Sequence, residues 1–452
     1  MRRIFMLCAK NRVVVVIGIF VFLLLSLWLY LHVGGTRPHC DVDSMAYVER
    51  AAFLTTIGTF CNPLDPALPY YGLGYPLFLA IINHFLGTSF FWIVLAQVLL
   101  ALLNFFIIRN VATTLFGGNA GQIAFLLAIT SFGYLIFAQF ILTELLLATL
   151  LTASFCFLLQ PQRRSSACYA GLLLGLSVLV KPVALYFTIP LVAVWLSLFW
   201  RDALAFVLCF WLILGSLLLH NYYVFGAPRL GSLASINLCY WFYPYLLAHE
   251  KGTSVEHERA ALCKRQPHVN QVMPELLAAV KARPLVAAWY WFFNMFKTVA
   301  GLYATNLKVL MGTVRGGDVS FFKQTGSTWQ KMYGYITMGV TEAWVIGAAV
   351  SEAVLLVLRY IFALLGLWRL VFVFKKVNNR IEAYKNEYAW QLYLCIAFLG
   401  YFLMVTGHDG CARFRMMIEF LLIVLAAGGL NHCVNSLGRK QVCARLRYWV
   451  AR

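Results

Sequence analysis

Ten apolar runs alternate with short polar segments along the chain, each near the length of about 20 residues that crosses a bilayer. They fall near 13–33, 89–110, 119–140, 143–160, 167–181, 183–200, 203–220, 347–373, 388–407 and 416–432. The pattern predicts an all-α, polytopic membrane protein of about ten transmembrane helices, with surface helices in two external loops. Two further stretches do not fit a crossing. The run 75–87 is too short, and 284–311 is aromatic and apolar but interrupted by Lys297 and Lys308. Both read as helices lying in the outer interface. The first run is longer than a signal-peptide core and lacks an A-x-A-like end, so it reads as an uncleaved anchor.

With the N-terminus inside, ten crossings return the C-terminus inside. The chain then divides into a cytoplasmic N-terminus (1–12) and a membrane core (13–220) that includes external loop 1 (34–88). External loop 2 (221–346), C-terminal spans (347–432) and a basic cytoplasmic tail (433–452) follow. In loop 1, Ser44 to Thr56 reads as an amphipathic surface helix with Asp43 as its N-cap. In loop 2, Thr253-Ser254-Val255-Glu256 has capping-box spacing and opens a helix through about Lys264. Pro274 and Pro284 bracket another.

Composition sharpens the class. Hydrophobic residues make up 62% of the chain and charged residues 12%, with a mean hydropathy of +0.78. A soluble core could not hide that much apolar surface. The net charge of +19 invites a nucleic-acid reading, but its distribution excludes one. Basic clusters at Arg2-Arg3, Arg163-Arg164, Arg201, Lys375 to Arg380 and the tail all fall between or beside spans, on the cytoplasmic face of this topology. That is the positive-inside pattern, with anionic membrane lipid as partner.

Acids sort the other way. Of 17, only Asp202, Glu382 and Glu387 face the cytoplasm. A charge at the bilayer centre costs about 2.5–3.5 kcal/mol on insertion scales, so carboxylates held just outside a span in an acid-poor chain invite a catalytic reading. Asp41-Val42-Asp43 follows the first span, with Tyr47 one helical turn on. Glu352 and Arg359 are exceptions within a span, seven residues apart on one helix face and expected to pair with other helices.

Metal chemistry has two entry points. Asp41 and Asp43 have the DxD spacing of metal-using transferases, which allows a divalent cation there. His249, His257, Cys263 and His268 lie close in sequence, but their spacing matches no standard zinc site. No resident metal or cofactor is therefore expected. Cys40, Cys61, Cys239, Cys263 and Cys411 face the outer compartment, where a bond such as Cys40–Cys61 is allowed and the odd count leaves one thiol over.

Five stretches, in order, resemble the GT-C superfamily of integral-membrane glycosyltransferases. The likeness is to the branch of the protein O-mannosyltransferases and the aminoarabinose transferase that modifies lipid A. Asp43-Ser44-Met45-Ala46-Tyr47 resembles the first-loop acidic motif, and Gly72 to Ala80 the "PGYPLFLA" segment that closes that loop. Thr143-Glu144 stands where the family often has a Ser/Thr–acid pair. Gly171 to Pro182 resembles "GLLLGLA…RP", with Lys181 in place of Arg. Arg413-Phe414-Arg415 through Leu430 resembles the last-span "RYRLPIEPFL…AAGGL" pattern.

The resemblance implies transfer of a sugar from a polyprenyl-phosphate donor to a lipid, glycan or protein acceptor on the outer face, by a single inverting displacement. Asp43 is then the general base. Lys181, Arg413 and Arg415 are candidates for the donor phosphate. Asp41, Tyr47, Glu144 and Asn221 are candidate substrate contacts, and Asn237 and the aromatic run 240–243 could meet a sugar. Each has a plainer reading: a helix cap for Asp43, snorkelling interface anchors for the arginines, a span-end residue for Glu144, loop capping for the asparagines. Small loops suit a bacterial inner membrane with a periplasmic active site. The competing class is a transporter or flippase of lipid-linked saccharides, although no pair of repeated halves with matching Gly/Pro breaks is visible.

Overall fold

The computed structural model describes residues 2–33, 42–57, 72–160, 163–226, 228, 230, 233–265, 269–311, 327–337, 343–378 and 385–450. Among these every regular element is helical. Six helical segments are long and apolar enough to cross a membrane: 13–32, 90–116, 182–223, 343–374, 387–408 and 412–436. Shorter apolar helices fill the remaining runs.

The bundle is built around α19 (Met416–Val450), whose apolar stretch is 78% buried. Packed on it are α4 (Phe90–Phe116), α5 (Gly118–Ile129), α7 (Glu144–Leu158), α17 (Ala343–Asn378) and α18 (Lys385–Met404). In contrast α1 (Arg2–His32) is only 17% buried over its apolar stretch and presents Val16, Phe20 and Leu31 outward. Such a surface is stable only against lipid. Close approach of α17 and α19 requires glycine. A Cβ at Gly366 would lie 1.9 Å from the Leu425 carbonyl oxygen, and one at Gly429 would lie 2.1 Å from that of Phe362. Small residues at such crossings let helix backbones meet where hydrophobicity gives no drive.

Two runs depart from the sequence reading. The run 119–140 is broken: α5 stops at Ile129 and α6 spans Phe132–Phe137, with Ser131 between them in an extended conformation and its hydroxyl donating to Glu419 at 2.7 Å. After α8 (Arg164–Val180) and a 3-10 turn, the runs 183–200 and 203–220 are the two arms of α9 (Thr188–Phe225), joined without a loop at a sharp kink. Its backbone is non-helical at Phe199. Trp195 and Phe206 would be about 16 Å apart along an unbroken helix, yet their rings sit 5.3 Å apart. The chain folds back there, and two crossings are kept.

Loop 1 supplies α2 (Val42–Ile57) and α3 (Gly74–Leu86), which pack together. Helix α2 begins two residues earlier than predicted, so Asp43 sits in its first turn rather than at the N-cap. A carboxylate there still complements the helix dipole.

Loop 2 holds α10 (Leu233–Asn237), a π turn through Phe242, α11 (Tyr243–Lys251), α12 (Val255–Arg265) and α13 (Val269–Ala282). Helices α14 (Pro284–Ala300), α15 (Ala304–Leu310) and α16 (Thr328–Thr337) complete it. Cys239, Phe242, Leu246, Leu262, Val272, Leu276 and Ala287 form its own small apolar core. Two local expectations are corrected. The cap of α12 is Ser254, whose Oγ accepts the His257 N–H at 3.1 Å, one position on from the predicted box. Pro274 lies inside α13 rather than at its start. The lysines of 284–311 both end on protein partners: Lys297 Nζ lies 2.7 Å from the Tyr245 hydroxyl, and Lys308 donates to the Tyr335 carbonyl. Leu285, Trp289, Phe292 and Phe296 form an exposed stripe on α14.

Candidate functional site

At one end of the bundle four charged side chains, brought from four distant segments, form a chain of alternating sign. Arg413 Nη2 lies 2.9 Å from Asp43 Oδ2, and Arg413 Nε lies 2.5 Å from Glu144 Oε1. Lys181 Nζ approaches the same Glu144 oxygen at 3.4 Å. Lys181 also stands 4.8 Å above the Phe414 ring.

Each position has a local cause. Glu144 opens α7. Lys181 follows the last residue of α8 and precedes Pro182, which forces it out of the helical region; its backbone is extended at φ −152°, ψ 117°. Arg413 sits in a 3-10 turn, Ala412–Arg415, just before α19. The Gly-Leu-Gly of the loop-1 motif is a contact device: a Cβ at Gly72 would lie 2.4 Å from the Leu179 carbonyl oxygen, and one at Gly74 would lie 2.8 Å from the Val180 nitrogen. Loop 1 therefore closes directly on the end of α8 that presents Lys181.

Below the quartet, Tyr47 is buried with its ring 5.1 Å from that of Tyr75. The Tyr75 hydroxyl donates to Gln97 at 2.9 Å, and the Gln97 amide donates to the Ala138 and Phe140 carbonyls at 3.1 and 2.8 Å. These bonds tie α2, α3, α4 and the segment before α7 into one floor.

Exposure separates the roles. The Asp43 side chain is 29% exposed, Arg413 15% and Lys181 14%, whereas Glu144 is 3% exposed. Asp43 can meet a ligand. Glu144 holds two cations from beneath.

The connection between α18 and α19 that leads into the turn of Arg413 is clamped by α14. Trp291 Nε1 donates to the Met404 carbonyl and the Asn294 amide to the Gly407 carbonyl, each at 2.9 Å. A Cβ at Gly410 would lie 1.9 Å from the Asn294 carbonyl oxygen. Cys411, in this turn, is an unsuitable nucleophile: burial pushes its thiol up to about 12, so it stays protonated at neutral pH.

Arg415 points elsewhere. Its side chain is 1% exposed and lies 3.3 Å from Glu352 and 3.3 Å from Glu419. Glu419 also pairs with Arg359 and accepts the Tyr303 hydroxyl at 3.3 Å. Glu352 accepts the backbone N–H groups of Tyr303 and Ala304 at 2.7 and 2.8 Å. Glu352 and Arg359 thus do pair with other helices, as expected from their spacing. The network joins α15, α17 and α19 and lines a small cleft with Thr130, Ser131 and Phe132. It was invisible in sequence because its members lie in four separate segments.

Asn221 is buried near the end of α9, its Oδ1 3.2 Å from His220 Nδ1, on an element that supplies none of the quartet. Asn237 ends α10, and the Trp241 ring of the aromatic run carries the Arg259 guanidinium at 4.3 Å. Asp41, Cys40, Cys61 and His268 lie outside the described residues. Among the described residues no group of three or more His, Cys, Asp or Glu gathers as a metal site.

No protein-family model and no curated protein sequence matches the chain. Solved structures do. The oligosaccharyltransferase of Archaeoglobus fulgidus in its apo form aligns with 96% of this chain and 52% of its own, at 13% identity and a TM-score of 0.53. The same enzyme tethered to an acceptor peptide containing the NVT sequon aligns with 94% and 50%, at 12% identity and a TM-score of 0.53. ArnT from Cupriavidus metallidurans bound to undecaprenyl phosphate aligns with 87% and 77%, at 15% identity and a TM-score of 0.41. The chain spans about half the length of the archaeal enzyme. At such identities the likeness is one of fold: the chain has the fold of the GT-C membrane glycosyltransferases, whose motifs its sequence resembles.

Proposed function

We propose that the chain transfers a sugar from a polyprenyl-phosphate carrier to a hydroxyl or amine of a lipid, glycan or protein acceptor, at the outer face of a bacterial inner membrane. The observation that carries this reading is the quartet itself. A partly exposed carboxylate stands beside Arg413, which the buried Glu144 links to Lys181, at the ends of apolar helices, where a lipid phosphate and its sugar would lie.

Asp43 takes the proton of the attacking group as its oxygen or nitrogen bonds to the anomeric carbon. The bond from that carbon to the phosphate oxygen breaks, and its electron pair leaves with the polyprenyl phosphate. Arg413 and Lys181 offset the extra negative charge on the departing phosphate. Glu144, bonded to both, fixes their positions and is too buried to act as a second nucleophile. Attack in one step inverts the anomeric centre, and Asp43 returns its proton to water. A glycosyl-transferring protein of the same fold, named as an oligosaccharyltransferase, adds support.

The test is release of free polyprenyl phosphate from a panel of labelled polyprenyl-phosphate sugars. Purified wild type and Asp43→Asn are compared in lipid, with a membrane extract as acceptor source. Release by wild type alone supports the proposal and names the donor. No release from any donor by intact protein would sink it and favour the transporter reading. Asp41→Asn tests the cation separately: activity lost and then restored by added Mn²⁺ or Mg²⁺ would place a divalent ion at Asp41 and Asp43.

A further inference from the structure

The clamped turn between α18 and α19 carries a polar group that the proposed chemistry leaves unused. His408 Nδ1 lies 2.7 Å from the Val405 carbonyl oxygen. A carbonyl only accepts, so Nδ1 carries the proton and donates it. In the neutral ring Nε2 is then an acceptor with an available lone pair. That Nε2 is buried and has no hydrogen-bond partner among the described residues. Leaving a buried polar atom unpaired costs free energy, and native structures rarely do so without a use for it.

Its location supplies the use. The His408 ring packs 5.4 Å from that of Phe414, and Phe414 carries Lys181 Nζ 4.8 Å from its ring centroid. His408 therefore stands one aromatic ring from the quartet, at the end of the 3-10 turn Val405–His408 that precedes the turn of Arg413. Trp291 and Asn294 hold that turn rigid, as a positioned acceptor requires.

We propose that His408 Nε2 is a ligand-binding atom of this site, accepting a hydrogen bond from a hydroxyl or amine of the bound sugar or acceptor. The proposal rests on the glycosyl-transfer reading. It adds a residue that no sequence motif pointed to.

The test uses the full chain in lipid and the same donor panel, with and without membrane extract. His408→Asn keeps an amide nitrogen where Nδ1 was, and so keeps the bond to Val405, but has no atom at Nε2. It is expected to unfold at the wild-type temperature and to lose about tenfold in kcat/KM, the scale of one hydrogen bond. A partner on the sugar would show as a loss in donor hydrolysis without extract. A partner on the acceptor would show only when extract is supplied. Wild-type kcat/KM for a folded His408→Asn in both arms would overturn the proposal. If His408→Asn unfolds, the comparison moves to His408→Gln, which restores an acceptor near Nε2, against His408→Leu of similar bulk. Gln should outperform Leu about tenfold, and equal rates would overturn the assignment. Failure of the underlying function looks different, because wild type itself would then release nothing, and the assignment would fall with it.

Discussion

Asp43 and Glu144 both bind Arg413, yet their surroundings divide the labour between them. Asp43 is reachable, so Asp43→Asn is expected to fold normally and to lose about 10²–10⁴ in rate, the usual contribution of a positioned base. Equal thermal midpoints with a surviving rate would reject that role. Glu144 is sunk between two cations from separate helices. Glu144→Gln leaves them without their shared counter-charge and is expected to cost about 3 kcal/mol of stability, read as a lower unfolding midpoint as well as lost turnover. Arg413→Lys should also fail, since one ammonium cannot span the two carboxylates that the guanidinium bridges.

Helix α14 and the turn after α18 behave as one element. Gly410 has no room for a methyl group against Asn294, so Gly410→Ala is expected to cost about 1–3 kcal/mol through overpacking and to shift Arg413 with it. Activity should fall further than stability alone explains. A second local element, α11–α12, is pH-dependent. The Lys251 ammonium, 2.7 Å away, and the Thr253 hydroxyl hold the Glu258 carboxyl below its ordinary value. A depressed acid stabilises the fold fully above the ordinary glutamate range, and that contribution is lost as the pH falls below that range through the lowered value. Hydrogen-exchange protection across residues 243–265 should therefore hold down to about pH 5 and weaken as the pH falls below about 4.5, and Glu258→Gln should already show the weakened state at pH 7.

Across the whole molecule, charge is segregated between the two ends. The quartet and loop 2 share one end, while Arg163, Arg164 and Arg201 sit at the helix ends opposite. If the quartet faces outward, an impermeant maleimide applied to intact cells should modify exposed Cys263. Cys156 and Cys433, at the other end, should remain unmodified, as mapped by mass spectrometry. The reverse pattern would invert the topology. Between the ends, the Arg415 network locks α15, α17 and α19 together. Glu419→Gln, which removes the counter-charge of both Arg359 and Arg415, should destabilise the bundle by about 3–5 kcal/mol.

Helix positions, the two ends and the acids and bases at them were legible in the chain alone. Apolar run length is set by bilayer thickness, and each crossing reverses the end at which a residue emerges. Asp43, Glu144, Lys181 and Arg413 could therefore be assigned to one face before any contact was known. What the periodicity could not supply was which of them touch. Arg413 and Arg415 are two residues apart and look alike in sequence, but a 3-10 turn sends one to Asp43 and the other into a buried network with Glu352 and Glu419. His408 carried no signal at all, because an unpaired nitrogen exists only once its neighbours are packed. Partners such as Asp43 and Arg413 lie 370 residues apart, and only the packing of helices around α19 decides that they meet.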